Sequence, residues 1–136
     1  MNQKKITANS ELHDSGEDYL EAILILEKQK GEVRSIDLAQ HMGYSKPSIS
    51  HAVAMLQSGG FLIKDACHSL KLTPVGREVA ERIYERHKFF SEQLIAAGVD
   101  PQTAESEACR MEHAISYTSF QKIKESSNCF FNSRKL

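Results

Sequence analysis

No apolar run in the sequence is long enough to span a bilayer, and the first stretch, "MNQKKITANSELHDSG", lacks the apolar core of a secretory signal. Both absences set the expectation of a cytoplasmic protein with no membrane partner. Cysteine is scarce: Cys67, Cys109 and Cys129 are odd in number and irregularly spaced, which argues against a disulfide framework and leaves reduced thiols available as ligands. An excess of positive charge is also missing. The formal net charge is −1 at pH 7, whereas dedicated nucleic-acid-binding domains are usually basic, so any DNA affinity must come from local charge or from something added. No Gly-rich loop offers an oxyanion hole and a mid-helix cysteine is poorly placed for attack, which speaks against a thiol enzyme pairing Cys109 with His113; no small organic substrate is expected.

What is present suits one compact domain or two small ones sharing a core: 136 residues, 26% charged and 40% hydrophobic. Residues 1–14 are polar and read as mobile. From Glu17 to Lys30, "EDYLEAILILEKQK" has a helical pattern closed by Gly31. Ser35 fits the N-cap of "IDLAQHM", Gly43 fits its end, and Ser45 starts "KPSISHAVAMLQSGG" with Pro47 in the first turn. Two short helices so closely joined predict a helix-turn-helix. Two apolar runs around a polar tip, Phe61 to Lys64 and Ser69 to Thr73, predict a hairpin, and a hairpin directly after a helix-turn-helix is a wing. Thr73 caps a long helix ending near Gly98, and a further helical pattern runs from about Pro101 to Lys124. The last residues, "ESSNCFFNSRKL", carry no assignable pattern. The expected fold is therefore mainly α, with a winged helix-turn-helix in residues 1–74 and a helical dimerisation and metal-binding domain in 75–136.

Two clusters carry chemistry. In "KPSISHAVAMLQ", Ile49, Val53 and Leu56 form an inward face, leaving Lys46, Ser48, Ser50 and His51 outward near the end that enters the major groove in a helix-turn-helix. Serine hydroxyls and free first-turn N–H groups suit phosphate, while Ser48 and His51 are placed for base edges. Lys64 and Lys71 flank the wing tip as further phosphate contacts. In "EACRMEH", Cys109, Glu112 and His113 fall at i, i+3 and i+4, putting thiolate, carboxylate and imidazole on one helical face. Such a set can form half of a transition-metal shell, although the heptad by itself reads more readily as a polar face with one buried cysteine. Asp18 and Glu21, one turn apart on the first helix, and His87 on the long helix are candidates for the remainder. The adjacent Cys67 and His68 read as an ordinary loop pair.

The order of "EDYLEAI", "IDLAQHMGYSKPSISHAVAMLQSGGFL", "LKLTPVGREVAERIYERH" and "EACRMEH" resembles the diphtheria toxin repressor and manganese transport regulator family over roughly residues 15–124. The resemblance implies a dimeric, metal-activated repressor of metal-uptake genes, with metal at the junction of its two domains. It implies Asp18, Glu21, His87, Cys109, Glu112 and His113 as metal ligands, and places Ser45, Lys46, Pro47, Ser48, Ser50 and His51 at the start of the recognition helix. Manganese-type members share the aspartate seen as Asp18 but have glutamate in place of Cys109. Iron-type members share the cysteine but have methionine in place of Asp18. The mixture leaves Mn²⁺ and Fe²⁺ both open as activator, since thiolate favours softer ions and carboxylates harder ones. The iron-type second site around His87 is matched poorly by Ser91, Glu92 and Glu105. Dimerisation is expected through apolar positions of the last helices, including Ile83, Phe89, Phe90, Leu94, Ile95, Ala108, Met111, Ile115 and Phe120, much of which must also form the subunit's own core. Longer members add a C-terminal SH3-like domain, for which the expectation here is absence. The alternative to metal control is a winged-helix regulator whose operator binding ignores chelators.

Overall fold

The computed structural model describes the backbone of residues 15–134 and the side chains of residues 16–127; the lead of residues 1–14 and the Cys129 thiol lie outside them. The chain parts into two compact units after Ile83. In the first are α1 (Ser15–Lys30), α2 (Ser35–Met42), α3 (Lys46–Ser58), β1 (Leu62–Lys64), β2 (Leu70–Leu72) and the beginning of α4 (Pro74–Ala96). The second holds the rest of α4 with α5 (Pro101–Met111) and α6 (Tyr117–Arg134). The architecture is mainly α, a winged helix-turn-helix followed by a helical domain, as the sequence predicts.

In the first unit, Leu20, Ile23 and Leu24 recur at helical spacing and are at most 1% exposed. They share a core with Leu38 of α2, Ile49, Val53 and Leu56 of α3, and Leu62 and Leu70 of the wing. Gly43 separates α2 from α3 in the left-handed region, φ 71°, where its N–H closes on the Ala39 carbonyl at 2.9 Å. One cap differs from expectation. Arg34, not Ser35, occupies the N-cap of α2, because Asp37 accepts the Arg34 N–H at 2.9 Å and is itself held by Lys30 at 2.5 Å. These bonds, Lys30 first, keep the Asp37 carboxyl below the usual carboxylate range.

The wing is an antiparallel pair with Leu62 opposite Leu72 and Lys64 opposite Leu70. Its tip is organised by Asp65, whose Oδ1 accepts the N–H groups of Cys67 at 2.9 Å and Ser69 at 3.0 Å. The wing is tied to the α1–α2 turn by the Leu70 N–H on the Val33 carbonyl at 2.7 Å. Arg77 at the start of α4 forks onto both oxygens of Glu27 in α1 at 2.7 and 3.0 Å.

In the second unit, Phe90, Ala108 and Phe120 form the core, with Phe89 and Ile115 packed against it. The ring of Phe120 meets those of Phe89 and Phe90 edge-on at 5.5 and 5.9 Å. Here the sequence expectation needs correction. The pattern from Pro101 to Lys124 is two helices, broken at residues 112–116, and the second continues through the unassigned tail to Arg134. No glycine or proline marks the break; it is made by the Ser116 hydroxyl, which accepts the Ser119 N–H at 3.1 Å and starts α6.

Asp100 caps α5 by accepting the Thr103 hydroxyl at 2.6 Å and its N–H at 2.9 Å, and these bonds hold its carboxyl below the usual range. A carboxyl depressed in the folded state stabilises above its unfolded pKa of about 3.9 and loses that contribution as pH falls through the folded value. Asp100→Ala is therefore expected to lower the melting temperature at neutral pH. The gap to the parent should begin to narrow below about pH 4 and close only below the depressed folded value; a gap independent of pH would rule out the charged cap.

Candidate metal centre and DNA-reading helix

α4 and α5 are long enough to bring residues distant in sequence side by side. One ligand atom each from His87, Cys109 and Glu112 lies within 4.8 Å of the others. Glu112 is fully buried, His87 is 9% exposed and Cys109 is partly buried. The Glu112 N–H still closes on the Ala108 carbonyl at 3.0 Å, so its side chain stays on the Cys109 face although α5 ends at Met111. His113 lies in the turn that follows, its Nε2 3.5 Å from Glu112 Oε1. Asp18 and Glu21 stand one turn apart on α1 in the first unit, Asp18 partly and Glu21 almost wholly buried.

Both nitrogens of His87 face carboxylates: Nδ1 meets Glu112 Oε2 at 3.0 Å and Nε2 meets Glu105 Oε1 at 2.5 Å. Ligation through either nitrogen would use its lone pair and replace that hydrogen bond, leaving the other carboxylate to orient the ring. Glu105, which also accepts from the Ser91 hydroxyl at 3.4 Å, is thus a neighbour of His87 that residue-type matching undervalues. The spacing 105, 109, 112 was the available signal, because i, i+4 and i+7 share one helical face. Sulfur, nitrogen and oxygen donors at this separation, with a carboxylate withdrawn from water, fit a divalent transition ion.

On α3, Ser45 is the N-cap and accepts the Ser48 N–H at 3.3 Å. Lys46, Pro47, Ser48, Ser50 and His51 are all exposed, while Ile49, Val53 and Leu56 are at most 2% exposed. The helix end therefore presents hydroxyls, an imidazole and a cation outward, with the apolar face anchored beneath, whereas the expected free first-turn N–H groups are largely spent: Pro47 has none, and those of Ser48 and Ile49 are taken by the Ser45 hydroxyl and carbonyl.

Of the apolar positions expected at a dimer interface, Phe90, Ala108 and Phe120 are spent on the unit's own core, whereas Ile95 and Met111 are 44% and 37% exposed. Phe89, Phe90, Met111 and Ile123 line an open groove of about 700 Å³. Among the described residues no helix is long and apolar enough to cross a membrane.

Residues 11–66 match the family model "Iron dependent repressor, N-terminal DNA binding domain", and residues 73–130 match "Iron dependent repressor, metal binding and dimerisation domain". The transcriptional regulator MntR of Salmonella typhimurium is 35% identical over 100 residues, 74% of this chain and 64% of that protein. The HTH-type transcriptional regulator MntR of Listeria monocytogenes (serotype 4a) is 32% identical over 118 residues, 87% of this chain and 83% of that protein. The structure of the manganese regulator SloR superimposes with a TM-score of 0.73 at 25% identity, over 82% of this chain and 53% of that one. This chain thus spans less than two thirds of the length of the Salmonella relative and about half of the structural neighbour. On these matches the chain belongs to the diphtheria toxin repressor and manganese transport regulator family, whose members are metal-dependent transcriptional regulators and not enzymes.

Proposed function

We propose that this protein is a cytoplasmic, homodimeric transcriptional regulator that binds a palindromic operator when Mn²⁺ or Fe²⁺ occupies its metal centre, and represses metal-uptake genes. The observation that carries the reading is the convergence of His87, Cys109 and Glu112 within 4.8 Å, in a chain whose α3 presents an exposed DNA-reading end. Residues 1–74 are assigned to DNA binding and residues 75–136 to dimerisation and metal binding. Asp18, Glu21 and His113 are added to the ligand set on the family resemblance.

The charge balance of the chain gives this arrangement a purpose. A net charge of −1 offers operator DNA no general attraction, so affinity has to be gained by orientation. An ion held by this set supplies the positive charge that offsets its carboxylates and thiolate. The ligand side chains then hold their helices in one arrangement, and the recognition helices of a dimer sample fewer positions. Ser45, Lys46, Pro47, Ser48, Ser50 and His51 meet successive major grooves about 34–36 Å apart. By linkage, operator DNA tightens metal binding by the same factor that metal tightens DNA binding, commonly about 1–3 kcal/mol.

The test is an anaerobic titration of chelator-stripped protein with Mn²⁺ or Fe²⁺, following its binding to a fluorescent palindromic promoter fragment at fixed salt. The expected result is DNA affinity raised about 5–150-fold by one of the ions and reversed by chelator. Tight operator binding indifferent to both ions and to chelator would replace this reading with a winged-helix regulator lacking metal control.

A further inference from the structure

Arg86 is 6% exposed, yet its guanidinium takes main-chain carbonyls as acceptors instead of a carboxylate. Nη1 donates to the Glu112 carbonyl at 3.0 Å and reaches that of Ile115 at 3.5 Å. The guanidinium carbon lies 5.8 Å from the centre of the Tyr117 ring, and Nε is buried with no hydrogen-bond partner among the described residues. Burying a guanidinium is costly unless its donors are used, so this placement has to be offset locally. The stronger offset comes from the Glu112 carbonyl at the C-cap of α5, which lacks an intrahelical partner and carries the negative end of the helix dipole; the Ile115 carbonyl belongs to the turn before α6. The two carbonyls bracket the turn that carries Glu112 and His113.

We infer that Arg86 is a positioning residue for the metal centre: by bonding both ends of the 112–115 turn it holds the Glu112 and His113 side chains where ligation needs them, while coordinating nothing itself. The inference rests on the metal reading given above. Arg86 and His87 are consecutive in α4, so the same stretch of helix supplies one ligand and the clamp on two others. Glu85, one residue earlier, pairs with Lys124 of α6 and ties down the far side of the turn. Both carbonyl contacts are made by Nη1, so what sets the guanidinium apart from an ammonium here is its planar, weakly hydrated face against the Tyr117 ring.

The experiment loads the full chain with Co²⁺ as probe ion and reads both affinity and the thiolate-to-cobalt absorption in Arg86→Met and Arg86→Lys. Arg86→Met keeps the apolar stem, and is expected to retain helical content while binding Co²⁺ about 10–100-fold more weakly, with altered absorption bands. Arg86→Lys should fall between it and the parent. Native cobalt affinity and spectrum in Arg86→Met would overturn the inference, including when its melting temperature falls, since a merely structural arginine would behave that way. If Arg86→Met does not fold, Arg86→Lys decides, and native affinity there overturns it. Should the unaltered protein take up no Co²⁺, the metal reading itself falls and the inference with it.

Discussion

Gly76→Ala is expected to destabilise the first unit by about 3 kcal/mol, although alanine is the better helix former. Gly76 lies in the first turn of α4, where a Cβ would overlap the Phe61 carbonyl oxygen and come within 2.9 Å of its carbonyl carbon. Neither atom can yield, because the entry to the wing is bonded to the start of α4 from several sides. The Thr73 N–H holds the Phe61 carbonyl at 3.1 Å, the Thr73 hydroxyl donates to the Gly60 carbonyl at 2.6 Å, and the same hydroxyl accepts the Gly76 N–H at 3.1 Å. Helix propensity alone would have alanine stabilise by about 1 kcal/mol, so the two effects predict opposite signs. Urea unfolding separates them: an equal or higher midpoint at unchanged slope would show that the close crossing of α4 over Phe61 does not constrain this position. Because the wing starts at this crossing, operator affinity should decline together with stability.

Glu112→Gln should weaken metal binding by more than the roughly 10–100-fold expected for an outer-shell change, because the side chain is assigned as a ligand. The carboxylate is fully buried, accepts from His87 at 3.0 Å when that nitrogen carries its proton, and shares a 4.8 Å cluster with His87 and Cys109. The amide nearly preserves its shape and removes its charge. Glutamine can still accept from His87, so the metal-free variant should fold with native helical content, and relief of a buried charge offsets part of any loss. Isothermal titration with Mn²⁺ and operator binding in its presence give two readouts, which should fail together. Unchanged ion stoichiometry and affinity in this variant would remove Glu112 from the site and, with it, the argument for a centre on α5.

Legibility followed the range of the interactions. The winged helix-turn-helix could be read because its signals are local: Gly43 at φ 71°, the Ser45 cap with Pro47, and the spacing of Ile49, Val53 and Leu56. The Cys109, Glu112 and His113 motif was legible for the same reason, being five consecutive residues of one segment, although α5 ends at Met111 and His113 falls in the turn beyond it and not on the helical face the spacing predicts. The break at residues 112–116 was not, since its only local mark is the serine cap at Ser116, and Ser35 was preferred to Arg34 because a single-residue rule overlooks the Asp37 side chain reaching back. Residue type suggested a weak match for Glu105, whereas proximity sets it 2.5 Å from His87.

Determined by the sequence alone were the mainly α class, the helix-turn-helix and wing, the exposed face of α3, and the donor types available for an ion, all of which depend on residues within a turn or two of one another. Only the tertiary structure decided that His87 meets Cys109 and Glu112, that Gly76 must be bare beneath Phe61, and that Arg86 is buried against the carbonyls of the ligand-bearing turn. Those relations join residues 15 to 29 positions apart, and whether such residues touch is fixed by how helices pack, which no periodicity along the chain records.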